Sequence, residues 1–166
     1  MKKKFVAVAL VAVIAVPGFA DMKSEWQKKY DAYCAASIKK DMKAVEKSLR
    51  AVFAEDFKFI PKKGETVNLK QWIEKEKTEA SMTEKVNSFS IKIESLKEGK
   101  DTATMKVSIH FSGKVKMSPG AKTSNLLKFD GTADQKLVKR SGRWWVVEMK
   151  EGDMKTTLDG KPFDGG

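Results

Sequence analysis

Two side chains that each occur once, Cys34 and His110, have the chemistry best suited to nucleophilic catalysis in this 166-residue chain. A thiol and an imidazole base make a nucleophile pair when the fold brings them together. Cys34 follows Tyr33 on a predicted helix, where burial as a small apolar side chain is the commoner role. His110 alternates with the apolar side chains of a predicted strand and should point away from them. The pattern therefore favours a buried thiol and an exposed or interface histidine over a catalytic pair.

The same residue counts exclude several classes of site. One histidine and one cysteine cannot make an ordinary zinc centre or a paired-histidine active site. Glycine-rich phosphate loops, seryl or aspartyl nucleophile motifs and Cys-x-x-Cys spacing are absent from the sequence. A single cysteine also excludes an intramolecular disulfide, so the core alone must hold the fold. We expect no metal and no cofactor.

The N-terminal residues 1–20 have the pattern of a secretory signal peptide. Lysines at positions 2–4 precede an apolar run over residues 5–16, and the small residues Gly18 and Ala20 follow. The run is shorter than the roughly 20 apolar residues that a membrane span requires. We predict cleavage before Asp21, with an uncleaved anchor helix as the alternative. The predicted location is periplasmic or extracellular, without a transmembrane segment after signal removal.

The remaining chain is predicted to form one basic domain over residues 21–158, with a flexible tail at 159–166. The sequence carries 33 Lys and Arg against 22 Asp and Glu, a formal net charge of +11. This surplus favours anionic partners such as lipid or polysaccharide. The lysines are spread along the chain, however, which is more typical of a solvated surface. Without an aromatic-basic motif, nucleic acid is not an expected partner.

The predicted elements are three helices followed by a long antiparallel sheet, an α+β pattern. Asp41 and Asn68 are predicted to cap the second and third helices, and Ser24 with Gln27 resembles a capping box in the first. The predicted helices cover residues 21–39, 41–53 and 68–80. The predicted strands cover residues 57–60, 103–117, 126–140 and 143–155, and one further strand runs from residue 89 to a turn at 98–101.

One face of the predicted sheet is strongly apolar, and the helices carry apolar stripes that could cover it. Leu96 breaks the alternation of its strand by one residue, which predicts a bulge that bends the sheet. A bent sheet over helices usually encloses a pocket. Trp144 and Trp145 should lie on opposite faces of the last strand, one in the core and one at the pocket rim or a partner. The residues predicted to line the pocket are Tyr30, Tyr33, Trp72, Phe89, Ile91, Met105 and Val107.

Several short motifs occur in a characteristic order across nearly the whole chain. They are the turn at residues 40–41, VFAEDFKF at 52–59, residues 61–64 before the third helix, GKDTA at 99–103 and SGRWWVV at 141–147. Their order and spacing resemble the nuclear transport factor 2-like superfamily, which includes ketosteroid isomerases and polyketide-cyclase-like proteins, and most of all its secreted, uncharacterised members. The resemblance implies a cone, with three N-terminal helices packed on a bent antiparallel sheet around an internal pocket.

The resemblance also allows a test for isomerase residues. In ketosteroid isomerases a tyrosine and a protonated aspartate form an oxyanion hole, and a second aspartate is the base. The resemblance places the tyrosine at Tyr33 and the oxyanion aspartate at Asp134. The base position falls on Pro61 or Ile60, and neither side chain accepts a proton. Asp56, the nearest carboxylate, is expected in a turn, so isomerase chemistry is disfavoured.

Three hypotheses for the function remain. The first is an exported, non-catalytic domain that binds a small apolar or amphipathic molecule in its pocket. The second is a structural or dimerisation module of the cell envelope, with Lys106, His110 and Lys114 on the outer sheet face meeting a partner. The third is a lyase or isomerase that uses Tyr33 and Asp134 around one oxyanion. The missing base favours the first hypothesis.

Overall fold

A computed structural model describes residues 19–163, and its three helices and seven strands confirm the predicted α+β class. The helices are α1 (Phe19–Ile38), α2 (Met42–Val52) and α3 (Leu69–Met82). The strands are β1 (Phe53–Ile60), β2 (Val67–Asn68), β3 (Thr83–Glu98), β4 (Thr102–Val115), β5 (Asn125–Arg140), β6 (Arg143–Leu158) and β7 (Lys161–Pro162). The predicted signal peptide lies outside the described residues, except that Phe19 and Ala20 belong to α1.

Side-chain caps fix the beginnings of α2 and α3, as predicted. The Asp41 carboxylate accepts a hydrogen bond from the Ala44 amide at 3.0 Å. Asn68 accepts from the Gln71 amide at 3.0 Å, and Gln71 accepts in return from the Asn68 amide at 2.9 Å. These bonds satisfy amide groups that have no partner within the helix.

The capping box predicted at Ser24 and Gln27 is wrong, because α1 begins five residues earlier, at Phe19. Gln27 instead reaches the backbone of β3. Its Nε2 donates to the Ile91 carbonyl at 2.7 Å, and its Oε1 accepts from the Ile93 amide at 3.1 Å. One amide side chain thus replaces the hydrogen bonds that a neighbouring strand would make, and it fixes α1 against the sheet.

The strands form one sheet in the order β2-β1-β6-β5-β4-β3, with β7 also paired to β6. The four long strands β3 to β6 form an antiparallel meander. β1, however, pairs with β6 in parallel, so the sheet is mixed rather than wholly antiparallel. A short hairpin turn forces two consecutive strands to run antiparallel. β1 and β6 are not consecutive, because most of the chain lies between them, so no hairpin prevents their parallel pairing.

Register shifts bend the sheet at several points. The shift between Ile93 and Ser95 confirms the bulge predicted near Leu96. Two further shifts lie between β5 and β6, and at one of them Gly152 packs closely against Thr132. A Cβ at position 152 would lie 2.2 Å from Thr132 Oγ1, so this contact requires glycine.

Part of the predicted tail has regular structure. Residues 161–162 form β7, and the Phe163 amide donates to the Thr156 carbonyl at 3.0 Å. The chain reverses at Asp159 and Gly160, both of which have positive φ. That turn returns the tail to β6, and residues 164–166 lie outside the described part of the chain.

Candidate functional site

A cavity of about 640 Å³ lies between the three helices and the concave face of the sheet. This volume is within the range of small-molecule sites, roughly 300–1,000 Å³. Six of the seven predicted lining residues do line it: Tyr30, Tyr33, Trp72, Phe89, Ile91 and Val107. Met105 does not line it, because its side chain is packed within the hydrophobic core.

A row of three phenylalanines crosses the sheet along one wall of the cavity. Phe89, Phe111 and Phe129 are directly paired across β3, β4 and β5, with ring centroids 6.1 and 5.8 Å apart. The Tyr33 ring continues the row from α1, edge-on to Phe89 at 5.5 Å. Directly paired strand residues project from the same face, so the register itself produces this aromatic wall.

A buried polar pair, Tyr30 and Gln135, joins α1 to β5 at the cavity. The Tyr30 hydroxyl donates to Gln135 Oε1 at 2.5 Å, and Gln135 Nε2 donates to the Met149 sulfur at 3.4 Å. Burial raises the pKa of Tyr30 well above its ordinary value, although the Gln135 hydrogen bond lowers it in part. Tyr30 therefore keeps its proton and remains a hydrogen-bond donor.

The structure does not bring Tyr33 and Asp134 together. Asp134 is exposed on the outer face of the sheet, opposite Lys106 of β4 and Lys150 of β6 in the strand register. The next residue, Gln135, points inward instead and contacts Tyr30. A shift of one residue along a strand moves a side chain to the opposite face. The inferred Tyr33–Asp134 pair therefore cannot share one oxyanion, and the inward polar pair is Tyr30–Gln135.

Two carboxyl groups on α3, Glu76 and Glu79, also line the cavity. Burial and, to a lesser extent, the nearby Glu79 raise the pKa of Glu76 to about 7, against the opposing effects of the Tyr33 hydrogen bond and of Lys75. Burial likewise raises the pKa of Glu79, although its ion pair with Lys75 at 3.7 Å lowers it in part. Glu76 thus changes charge near neutral pH, beside the Tyr33 hydroxyl.

Sequence reasoning missed Glu76, although a signal for it exists. Glu76 follows the inward-facing Trp72 by four residues and Ile73 by three, so all three share one helix face. Gln135 has a corresponding signal on β5, since it alternates with the buried Ala133 and Leu137.

The cavity wall also contains lysines, two of which are already engaged. Lys40 Nζ donates to the Thr83 carbonyl at 2.5 Å. Lys75 Nζ is paired with Glu79 and lies 5.7 Å from the centroid of the Trp72 ring. Lys63 and Lys116 complete the set.

No carboxylate of β1 replaces the missing base. Pro61 lines the cavity, whereas Ile60 does not. Asp56 lies within β1 rather than in a turn, because the strand begins at Phe53. Its carboxylate is exposed and accepts two 2.8 Å hydrogen bonds from Arg140, which hold its pKa below the ordinary value.

His110 lies on the outer face in a hydrogen-bonded chain with Ser88 and Asp130. Ser88 Oγ is 3.1 Å from His110 Nε2, and His110 Nδ1 is 2.7 Å from Asp130 Oδ1. This order of groups matches a serine hydrolase triad. The histidine and aspartate side chains are, however, 43% and 68% exposed, and none of the three lines the cavity. A catalytic triad also requires a substrate cleft and an oxyanion site. We therefore interpret these hydrogen bonds as contacts of the protein surface without a catalytic role.

The positions of Cys34, Trp144 and Trp145 do not support a role in catalysis or at the cavity. Cys34 is buried on α1, and burial raises its pKa to about 12. The sheet separates it from His110, so the two do not form a nucleophile pair. Trp144 packs against the core and Trp145 lies 4.1 Å from the Arg143 guanidinium. Neither tryptophan lines the cavity.

No group of three or more His, Cys, Asp or Glu side chains within residues 19–163 could hold a metal ion. None of the helices in that range is both long and apolar enough to cross a membrane.

Solved structures of other proteins superpose on most of this chain. A conserved protein from Planctomyces limnophilus superposes with a TM-score of 0.62 at 13% identity, over 80% of this chain and 95% of that one. A nuclear transport factor 2-like superfamily protein from Salmonella enterica gives 0.59 at 16% identity, over 90% and 96%. A ketosteroid isomerase-like protein from Erwinia carotovora gives 0.52 at 15% identity, over 83% and 96%. No family model matches the sequence, and no curated protein matches it significantly.

Proposed function

We propose that this chain, which has the nuclear transport factor 2-like fold, binds a small apolar or amphipathic molecule in the cavity between its helices and sheet. The fold hosts many activities and does not by itself assign one. The observation that carries the proposal is the cavity of about 640 Å³ with its wall of aligned phenylalanines.

The composition of the cavity wall supports an amphipathic ligand. Most of the lining side chains are aliphatic or aromatic, and the polar minority includes Tyr33 on α1 and Glu76 on α3. Ligand sites usually combine a largely apolar lining with a few polar groups that orient the ligand. A molecule with an apolar body and one polar end fits this arrangement.

The experiment is a titration with the neutral fluorescent probe N-phenyl-1-naphthylamine. We expect saturable binding with a one-to-one stoichiometry, and loss of that binding when Ala80→Trp fills the cavity from α3. Ala51→Trp is the matched control, since Ala51 is also a partly buried helical alanine but does not line the cavity. Absence of saturable binding, or equal binding by both variants, would refute the proposal.

We also propose that the protein is exported. The support is the N-terminal pattern of lysines at 2–4, the apolar run at 5–16 and the small residues Gly18 and Ala20. Expression of the full chain in a bacterium, followed by fractionation and N-terminal sequencing, should give a mature protein that begins at Asp21. A full-length protein retained in the cytoplasm would contradict export without affecting the binding proposal.

A further inference from the structure

We infer that the cavity selects an organic cation, an amphipathic amine or quaternary ammonium compound, whose head group lies between the Glu76 carboxylate and the aromatic wall. This inference rests on the proposed ligand-binding function and names the chemical class of the ligand. It combines two observations, the row of aromatic rings and the carboxyl groups that face it from α3.

The aromatic row supplies the first half of the site. Tyr33, Phe89, Phe111 and Phe129 all line the cavity, in a row with neighbouring ring centroids 5.5 to 6.1 Å apart. The face of an aromatic ring is electronegative and attracts a cation, most strongly where water is excluded. The same rings offer an apolar surface to the body of the ligand, so one wall serves both ends of an amphipathic cation.

The acidic groups of α3 supply the second half. Burial raises the pKa of Tyr33 most, and Glu76 raises it next, ahead of Cys34 and Glu79, which indicates that the Glu76 carboxyl lies beside Tyr33 at the cavity wall. The titratable groups that face Glu76 are Tyr33 and Cys34 from α1, and Lys75 and Glu79 from its own helix. Lys75 is the cation of this set, and it is already paired with Glu79.

In this set of groups, an ionised Glu76 therefore shares its one cation, Lys75, with Glu79. A buried carboxylate is costly unless a positive charge or several hydrogen bonds compensate it. A bound ammonium head would provide that charge, and its alkyl substituents would contact the rings of the aromatic row. Since the pKa of Glu76 is about 7, a cationic ligand would also favour loss of its proton. We therefore expect the affinity for a cation to increase as the pH rises through neutrality.

The competing arrangement is an anionic head group held by the lysines of the cavity wall. Lys40 and Lys75 have partners within the protein, which leaves Lys63 and Lys116 as the lining lysines best able to bind an anion. Lys63 is exposed, so solvent would weaken its attraction for an anion. The carboxyl groups beside Tyr33 would in addition repel it. This arrangement makes the opposite prediction about charge preference.

The experiment compares three ligands of equal chain length that differ in the head group: octyltrimethylammonium, octanol and octanoate. Each is titrated by calorimetry and by displacement of N-phenyl-1-naphthylamine, at about pH 5.5 and about pH 8.5. At the higher pH the cation should bind roughly tenfold more tightly than the alcohol. At the lower pH we expect that preference to shrink.

Glu76→Gln is the informative variant, because it keeps the shape of the side chain and removes the charge. It should abolish both the preference for the cation and its pH dependence. Glu74→Gln is the matched control on the exposed face of α3, where Glu74 pairs with Lys77 outside the cavity. We expect that variant to behave like the unmodified protein.

The outcomes separate the two proposals. If none of the ligands nor the neutral probe binds, the binding function itself fails. If octanol binds as tightly as the cation, or octanoate binds most tightly, binding stands and the selection of a cation is refuted. A preference for the cation that persists in Glu76→Gln would also overturn the inference, because the head group would then lie elsewhere.

Discussion

The Tyr30 hydroxyl and the Gln135 side-chain oxygen are 2.5 Å apart, in a hydrogen bond that connects the first helix to the middle of the sheet. Tyr30 is 3% exposed and Gln135 is 4% exposed, so both partners are almost wholly buried. If the helix were rotated or shifted along the sheet, these two buried groups would lose their hydrogen bond, which would cost free energy. The hydrogen bond therefore helps to fix the position of α1, which forms one side of the cavity.

The first prediction concerns that hydrogen bond. Tyr30→Phe should lower the free energy of unfolding by about 1–3 kcal/mol, because Gln135 Oε1 loses its donor while it remains buried. Urea denaturation measures the change. The double variant Tyr30→Phe with Gln135→Leu should lose less than the sum of the single variants. Additive losses would mean that Tyr30 and Gln135 contribute independently to the free energy of unfolding, without an interaction between them.

The second prediction concerns the pH dependence of stability. The pKa of Glu76 is raised from 4.5 to about 7 in the folded protein, so the folded state holds this proton more tightly than the unfolded chain. Stability attributable to Glu76 is therefore complete below about pH 4.5 and decreases as the pH rises through 7.

Glu76→Gln should consequently raise the free energy of unfolding by about 1–3 kcal/mol near pH 8 and change it little near pH 5. Urea denaturation of both proteins at the two pH values measures the difference. Glu74→Gln, on the exposed face of α3, should show no such dependence. An equal effect of Glu76→Gln at both pH values would contradict the shifted pKa.

The third prediction concerns Gln27, whose side chain holds the backbone of β3 at Ile91 and Ile93. Gln27→Ala should cost about 1–2 kcal/mol, since two backbone groups lose their partner. Hydrogen exchange should accelerate at the Ile93 amide. Lys28→Ala is the control, because Lys28 is exposed on the same helix. Unchanged protection of Ile93 would show that the Gln27 contact does not persist in solution.

The fourth prediction concerns the outer-face chain of Ser88, His110 and Asp130. Because these side chains are at least partly exposed to solvent, Asp130→Asn and Ser88→Ala should each change the free energy of unfolding by less than about 1 kcal/mol. Ligand binding in the cavity should be unaffected. Stoichiometric labelling of Ser88 by a fluorophosphonate probe would contradict our interpretation that these three residues have no catalytic role.

Much of the fold could be predicted from local pattern. Asp41 and Asn68 begin their helices as predicted because N-capping depends on residues only three positions apart. The meander β3 to β6 was also predictable from alternation and turns. The parallel pairing of β1 with β6 was not, because it joins segments about 90 residues apart and has no local signal.

The site was predictable in its apolar wall but not in its polar groups. Period-two alternation correctly places Phe89, Ile91 and Val107 at the cavity. The position of Asp134 rests on the family resemblance, and an error of one residue in such a placement reverses the face of a strand. Gln135 would have followed from the alternation of β5 alone. Glu76 was overlooked because a charged residue on a mostly charged helix is usually assigned to the surface.

The contact of Gln27 with β3 also bears on how the protein behaves at high concentration. A long strand at the edge of a sheet is a template on which strands of other molecules can add. Gln27 occupies backbone groups in the middle of that edge and Lys40 occupies the Thr83 carbonyl at its beginning, while β2 at the opposite edge is two residues long. The helix that closes the cavity therefore also protects the molecule from sheet-to-sheet polymerisation.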